Sequence, residues 1–295
     1  MVALSTETID RTGEARRLVR AAMPIEADLA FRRRCETVIE YLDAGPDDII
    51  LDCGCGYGFY LRLLDDLTGA AIVGLDPDPD RIDQCRRQLG DRPRISCVQG
   101  DAQDLPFAGE SFSHAVCSEV LEHLDDDRAA MAELYRILCP GGVLALTVPS
   151  AEYPAAWDPI NFTLERIVKR HLGGERPWSG IWYGHKRLYT MDQLRMLAED
   201  AGFAVEEVRP LTHACPPFAH LVLYGTLKPL LMRGLVPGSI ARSGNRLQSE
   251  PQAGRGLTGL AMRMFERIDR SNDDPGIADR AKTFVALSIR ARKPA

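Results

Sequence analysis

Ile49-Ile50-Leu51-Asp52-Cys53-Gly54-Cys55-Gly56-Tyr57-Gly58 joins a short apolar run to an acid and to three alternate glycines. The residues that follow, 59–64, have the composition of a helix. Glycine in such a turn tolerates positive φ and leaves no Cβ between the backbone and a ligand. The first amides of the helix are unpaired and can bind a polar or anionic group. The stretch predicts a buried parallel strand, a tight turn and a helix, with a small ligand across the turn.

The spacing of the three glycines narrows the choice of ligand. It is G-x-G-x-G, whereas the dinucleotide fingerprint is G-x-G-x-x-G. A glycine-rich turn alone is weak evidence for a dinucleotide or for any other ligand. The identity of the ligand therefore has to be inferred from the remainder of the chain.

Four more short apolar runs follow the turn, with helical patterns between them. The predicted strands are 70–75, 95–98, 112–117 and 143–148, and the helices are 80–89 and 129–138. Strands that alternate with helices predict right-handed crossovers and a doubly wound parallel sheet of the α/β class.

Polar residues follow the predicted strands at their carboxyl ends, where such sheets bind ligands. They are Asp52, Asp76, Asp101 with Ala102, and Ser118 with Glu119. Asp76 lies 22 residues after Gly54, where an acid can accept two hydrogen bonds from a ribose diol. A carboxylate at position 101 can accept a hydrogen bond from the exocyclic amine of adenine, while the Ala102 amide can donate one to a ring nitrogen. This shared location is the strongest argument from the residues for a ligand site.

Composition and charge limit the class of protein. The eight cysteines are scattered without a CxxC pair, which favours reduced cysteines in a cytoplasmic protein over disulfides or a zinc site. We see no signal-peptide pattern and no apolar run of the roughly 20 residues that a membrane span needs. Residues 228–295 hold 13 Lys and Arg against 6 Asp and Glu, a net charge of +7, which leaves −13 for the remainder. The basic part favours an anionic partner, or else its arginines only solvate helix faces.

Five motifs in order together resemble the class I S-adenosylmethionine (SAM)-dependent methyltransferases. The most similar group is the type 11 branch, which includes ubiquinone and menaquinone biosynthesis methyltransferases. The motifs are Asp52 to Gly58, Gly74 to Asp76, Gly100 to Phe107, Ser118 to Leu124 and Pro140 to Gly142, and the likeness continues through 184–190 and 201–203. The resemblance implies a Rossmann-like sheet of seven strands, mostly parallel with an antiparallel last strand. Residues 204–208 fit the sixth strand and 283–291 the seventh.

The resemblance also implies a role for each matching residue, with SAM as cofactor and S-adenosylhomocysteine (SAH) as product. Asp52 and the backbone of Gly54 and Gly56 would hold the methionine portion. The ribose would be held by Asp76, the adenine by Asp101 and Ala102, and Ser118 would face the methionine end. The chain departs from the family at Ser113-His114, where an aspartate usually follows the phenylalanine.

The predicted organisation places insertions around this core. It comprises an N-terminal helical segment (1–45, mostly polar over 1–24 and loose at the end), the SAM-binding core (46–150), a substrate-side insertion (151–189), a core helix and sixth strand (190–209), an apolar and basic helical lid (210–280) and the last strand (281–295). A capping box at Thr190 and Gln193 starts the core helix, which Gly202 closes.

The two insertions are expected to define the substrate. The first contains a helix at 164–172 and an aromatic stretch at 178–185, which either lines an acceptor pocket or packs the insertion on the core. In the second, apolar segments 213–237 and 257–268 flank a basic link at 238–256, whose Arg242, Arg246 and Arg255 could meet anionic groups. Residues 213–268 could cover an oily acceptor, contact a membrane surface or form a homodimer interface.

The predicted function is methyl transfer to a small-molecule or lipid-like acceptor, at oxygen. Candidate bases are His185, His123 and Glu119, and no cluster has metal-ligand spacing, so no metal is predicted. Two alternatives stay open: C-methylation of a quinone precursor, and SAM or SAH binding without transfer. The glycine spacing and Asp101-Ala102 disfavour an NAD(P) oxidoreductase. An acidic body without a recognisable RNA module disfavours a nucleic-acid substrate.

Overall fold

The structure is a computed structural model that describes residues 11–23, 26, 28–174, 176, 178–218, 257–274 and 276–295. Most of the predicted apolar segment 213–237 and the whole basic link 238–256, with Arg242, Arg246 and Arg255, lie outside the described residues.

A seven-stranded sheet forms the centre of the protein, in the order β3-β2-β1-β4-β5-β7-β6. Strand β7 is antiparallel to both of its neighbours, β5 and β6, and the other paired strands are parallel. The strands are β1 (Ile49–Cys53), β2 (Ala71–Asp76), β3 (Ile95–Gln99), β4 (Phe112–Ser118), β5 (Leu138–Pro149), β6 (Ala204–Leu211) and β7 (Ala286–Arg292). This arrangement confirms the predicted fold class, including the antiparallel last strand.

Helices cover both faces of the sheet and bury two apolar clusters against it. One cluster lies under α5 and α7, and the other under α1 to α4. The helices are α1 (Arg11–Ala22), α2 (Leu29–Leu42), α3 (Phe59–Thr68), α4 (Pro79–Leu89), α5 (Asp127–Ile137), α6 (Pro159–Val168), α7 (Met191–Asp200), α8 (Leu257–Asp269) and α9 (Ile277–Arg280). Because β1 is covered on both faces, all but its first residue is buried, as expected for a central parallel strand.

Helix α1 lies within the predicted N-terminal helical segment, in the mostly polar stretch before residue 25 for which the sequence indicated no separate helix. Ala15, Val19 and Met23 recur at intervals of four and are buried, so they form a single apolar stripe. The stripe is narrow and lies among arginines, which hid it in the sequence.

Helix α6 corrects the predicted helix at 164–172. The side chain of Asp158 accepts a hydrogen bond from the Asn161 amide, and Pro159 occupies the first turn, so the helix begins earlier. Lys169 adopts a left-handed conformation (φ 56°) and ends the helix after Val168. The capping box at Thr190 and Gln193 is confirmed.

Two further sequence features can be compared with the described residues. None of the eight cysteines, all of which lie within the described ranges, forms a disulfide bond. Within the described ranges, none of the helices combines the length and the apolar character needed to cross a bilayer.

Candidate functional site

The glycine turn after β1 is tied to the neighbouring strand by two hydrogen bonds. The amides of Gly54 and Cys55 both donate to the Leu75 carbonyl, at 2.7 and 2.9 Å. A Cβ added at Gly54 would lie 2.3 Å from a Val120 methyl, and one at Gly58 would lie 2.7 Å from the Cys85 sulfur. At Gly56 it would meet no atom of the described residues within 4 Å. The outer glycines are therefore needed for packing, whereas Gly56 faces open space that a ligand can enter.

Asp52, at the end of β1, is a buried carboxylate with an unused oxygen. The side chain is 2% exposed, and Oδ2 has no hydrogen-bond partner among the described residues. Burial, with smaller contributions from Asp76 and Cys97, raises the pKa of Asp52 to about 8. A buried polar atom without a partner is costly. The position therefore suits a ligand that brings a cationic hydrogen-bond donor, such as the ammonium group of an amino acid.

Asp76, at the end of β2, is held beside the same turn. Its Oδ2 accepts the Gly56 amide and its Oδ1 accepts the Asp78 amide, both at 3.0 Å. Arg81 lies 3.7 Å from Oδ2. Each carboxylate oxygen can accept more than one hydrogen bond, so these contacts fix the side chain and leave it able to accept ligand hydroxyls.

Asp101 and Ala102 occupy the corner after β3. Asp101 is exposed, and its Oδ1 accepts the backbone amide of Gln103 at 2.9 Å and the Gln103 side-chain amide at 3.2 Å. Gln103 in turn accepts the Asp126 amide at 2.8 Å. Gln103 was not singled out from the sequence. Its side-chain amide also donates to Asp101 Oδ2 at 3.2 Å, so Gln103 fixes the carboxylate while Oδ2 keeps a lone pair for the adenine contact that the resemblance implies.

Ser118, at the end of β4, belongs to a polar network that crosses to β5 and α2. The Thr147 hydroxyl donates to Glu119 Oε1 at 3.2 Å and lies 2.8 Å from Ser118 Oγ, so Ser118 donates to Thr147. The Tyr60 hydroxyl is 3.4 Å from Ser118 Oγ. Arg34 lies 3.5 Å from Glu119 Oε2. Sequence reasoning missed Thr147, Tyr60 and Arg34; only the place of Thr147 near the end of a predicted strand gave any signal.

Glu119 also has an unusual backbone conformation. Its φ is 57°, in the left-handed region that non-glycine residues seldom occupy, and its amide donates to the Thr147 carbonyl at 2.9 Å. Such conformations cost of the order of 1–3 kcal/mol and cluster at functional sites. The conformation turns the chain sharply at the end of β4.

The two candidate histidines come together around a third residue, Glu122. The rings of His123 and His185 have centroids 4.8 Å apart, and each Nε2 lies 3.8 Å from Glu122 Oε1. His123 Nδ1 is 2.9 Å from the Gly184 carbonyl oxygen. Burial, aided by the Glu119 charge, raises the pKa of Glu122 well above its usual range. The third candidate base, Glu119, contacts Arg34 and does not belong to the group formed by Glu122, His123 and His185.

The aromatic stretch in the first insertion divides between packing and exposure. Ile181 is buried in a small apolar cluster with Tyr153 and Trp157. Trp182 packs against this cluster and stacks on His171, with ring centroids 3.8 Å apart. Trp178 and Tyr183 are 60% and 50% exposed. Part of the stretch thus holds the insertion on the core, and two large rings remain accessible.

The family model and three of the relatives that this chain matches are described as methyltransferases. A family model described as a methyltransferase domain matches residues 51–146. "Methyltransferase GfsG" of Streptomyces halstedii is 34% identical over 68% of this chain and 70% of its own. "O-methyltransferase cnsE" of Penicillium expansum is 29% identical over 61% and 60%. A "2-phytyl-1,4-naphtoquinone methyltransferase" of Thermosynechococcus vestitus is 28% identical over 60% and 81%.

The match does not extend over the whole of every relative. The chain spans 51% to 62% of the length of three curated relatives, including the Penicillium expansum protein. Among solved structures, a protein from Bacillus halodurans C-125 named as a methyltransferase has a TM-score of 0.52 at 20% identity, over 92% of this chain and 100% of its own. That likeness supports the fold.

Proposed function

The chain belongs to the SAM-dependent methyltransferase family, whose cofactor is SAM, and on that premise we propose that it methylates a small-molecule or lipid-like acceptor at oxygen. The observation that carries the proposal is the group formed by Asp52, Gly56 and Asp76. Among the described residues, one turn is surrounded by a buried carboxylate oxygen without a hydrogen-bond partner, a glycine that faces open space and a second carboxylate fixed by hydrogen bonds.

This group fits the chemical parts of SAM. Asp52 would accept the ammonium of the methionine portion, and the unused Oδ2 gives that ammonium a partner. Asp76 would accept the ribose hydroxyls, and the missing side chain of Gly56 would let the backbone approach the cofactor. Asp101 and Ala102 are proposed for the adenine and Ser118 for the methionine end.

When bound, SAM supplies a methyl group already activated on a sulfonium, so the chain mainly has to align the two reactants. Ser118 and Thr147 would line the site at the carboxyl ends of β4 and β5. An oxygen acceptor with a high pKa also requires a base, for which His185, His123 and Glu119 are the candidates. Glu119 is already engaged by Arg34 and Thr147, which favours the histidines among the three.

Residues 210–280 are proposed as a lid over the acceptor. Asp269, at the end of α8, accepts from Arg32 at 3.3 Å and from Arg33 at 2.5 Å, both on α2. The next residue of α2, Arg34, reaches Glu119 at the end of β4. Helix α8 is thus anchored on the helix that borders the proposed site, which supports a lid that would favour amphiphilic acceptors. Contact with a membrane surface and a homodimer interface are the alternative uses of this segment.

Titration calorimetry with SAH and with NAD, followed by radiolabelled methyl transfer, tests the function. We expect saturable SAH binding, no NAD binding and transfer to hydroxylated acceptors. Transfer to a ring carbon would instead support the quinone-precursor alternative, with which the name of the naphthoquinone relative agrees. SAH binding without transfer across hydroxylated and quinone acceptors would support a binding protein. NAD binding without SAH binding would overturn the proposal.

A further inference from the structure

A buried acid lies beside both members of the histidine pair. Glu122 is fully buried, and neither carboxylate oxygen has a hydrogen-bond partner among the described residues. Methyl transfer as proposed above does not use this carboxylate. A buried carboxylate normally has hydrogen bonds, a charge partner or a metal, because its burial is otherwise costly. The surroundings of Glu122 therefore need an explanation of their own.

The three side chains present ligand atoms at a spacing close to that of a metal site. One ligand atom from each of Glu122, His123 and His185 lies within 4.8 Å of the other two. Each histidine Nε2 is 3.8 Å from Glu122 Oε1. Two ligands bound tetrahedrally to Zn²⁺ at 2.0–2.1 Å lie about 3.4 Å apart. The two Glu122–histidine separations exceed this value by about 0.4 Å, whereas the ligand atoms of the two histidines, within 4.8 Å of each other, would have to approach by up to about 1.4 Å.

The surroundings of His123 prepare its Nε2 for this role. A carbonyl oxygen can only accept, so Nδ1, 2.9 Å from the Gly184 oxygen, carries the proton. In the neutral ring Nε2 then has a free lone pair. Histidine ligands usually donate their other N–H to such an acceptor, which fixes the ring. The Lys186 amide also donates to the Glu122 carbonyl at 2.8 Å, so both chain segments are joined beside the ligands.

We infer that Glu122, His123 and His185 form a binding site for a divalent transition-metal ion, with Zn²⁺ the best match. Two imidazoles and one carboxylate are a known zinc donor set that leaves a fourth position open. Two nitrogen ligands argue against Ca²⁺ and Mg²⁺, which take oxygen ligands. The ion would join the loop after β4 to the first insertion. Because a bound ion would occupy one nitrogen lone pair on each histidine, the role of base proposed above for these histidines belongs to the metal-free protein.

The test is direct metal binding to the full chain after EDTA treatment and removal of the chelator. Titration with Co²⁺, followed by visible absorption, and competition by Zn²⁺ give the stoichiometry and affinity. We expect equimolar binding with micromolar or tighter affinity. Glu122→Gln and His185→Gln should each weaken binding by more than about 100-fold, beyond the 10–100-fold typical of outer-shell changes. His123→Gln, whose side chain is 45% exposed, gives a third variant that disturbs the core least.

His171→Gln is the matched control, because His171 stacks on Trp182 in the same insertion and lies outside the proposed ligands. It should bind Co²⁺ like the unchanged protein. Circular dichroism and SAH binding show whether each variant is folded, and the latter tests the proposed function separately. A folded, unchanged protein that binds neither metal at micromolar concentration would overturn the inference. Equal binding by His123→Gln and the unchanged protein would overturn it too, since the ion would then lie elsewhere, for example at cysteines.

Discussion

The Asp76 carboxylate accepts the amide of Gly56 at 3.0 Å, which joins the end of β2 to the glycine turn after β1. One oxygen therefore fixes the shape of the turn, while the carboxylate keeps lone pairs for a ligand. The proposed contacts to the ribose and to the methionine portion of SAM depend on each other through this bond.

Replacing Asp76 by Ala should weaken SAH binding by about 1.5–3 kcal/mol, the range for hydrogen bonds to a charged group. Asp78→Asn is the control, because Asp78 caps α4 and asparagine caps equally well. Titration calorimetry measures both. Unchanged affinity in Asp76→Ala would exclude the ribose contact.

Cofactor affinity should depend on pH through Asp52. Its pKa is raised to about 8 in the ligand-free protein, so below that pH the carboxyl group is protonated and neutral. An ammonium ligand prefers the carboxylate, so binding below pH 8 must release this proton. SAH affinity should then rise between about pH 6 and 8, by at most about tenfold per unit for one proton.

Asp52→Asn removes this titration and should bind SAH weakly at every pH. Calorimetry in buffers of different ionisation enthalpy measures the proton release. An affinity of the unchanged protein that does not vary with pH would contradict the role of Asp52.

The same group should make the ligand-free protein less stable as the pH rises. A raised pKa in the folded state means that the folded protein holds a proton that the unfolded chain has lost. Between about pH 4 and 8 the free energy of unfolding should therefore fall relative to that of Asp52→Asn, by less than about 1.4 kcal/mol per pH unit. Urea unfolding of both proteins at several pH values measures the difference. A difference that is constant or rises with pH would show that burial does not perturb Asp52.

Alanine at two glycines should separate packing from ligand binding. Gly54→Ala places a Cβ 2.3 Å from Val120 at φ 83°, so the loss of stability should be about 1–3 kcal/mol or more. The added methyl group of Gly56→Ala meets no atom within 4 Å in the part of the chain that the structure describes, although the φ of 54° at this position is also unfavourable. It should lose less stability, but its methyl group would enter the proposed ligand space and weaken SAH binding. Thermal unfolding and calorimetry check both variants, and full SAH affinity in Gly56→Ala would place the ligand elsewhere.

Shortening residues 238–256 should leave SAH affinity unchanged and impair methyl transfer, if 210–280 form a lid over the acceptor. Calorimetry and transfer assays on the shortened chain measure the two effects. Unaltered transfer kinetics would contradict the lid. Sedimentation and vesicle binding would then show whether the segment is an oligomer contact or a membrane contact.

Local patterns in the sequence determined the strands, the glycine turn and the capping box at Thr190. Each of these features depends on residues that are close together in the sequence. The apolar residues repeat every 2.0 residues in a strand and every 3.6 residues in a helix, and particular residue types favour turns. The strand-end position of Asp52, Asp76 and Ser118 followed as well, because the carboxyl ends of parallel strands share one edge of the sheet. The bounds of helix α1 within the N-terminal helical segment could not be assigned from the sequence, because its apolar stripe has only three members, Ala15, Val19 and Met23.

Only the tertiary structure decided which distant side chains meet. Glu122 and His185 are 63 residues apart, and Arg34 and Glu119 are 85 apart, so no local spacing links either pair. Their contact depends on how the first insertion and α2 pack at the ends of β4 and β5. Packing of this kind is set by the summed shape and burial of many side chains, which a local pattern does not contain. The sequence alone therefore predicted the strand-end residues for which we propose cofactor contacts, whereas the grouping of Glu122 with the two histidines is visible only in the fold.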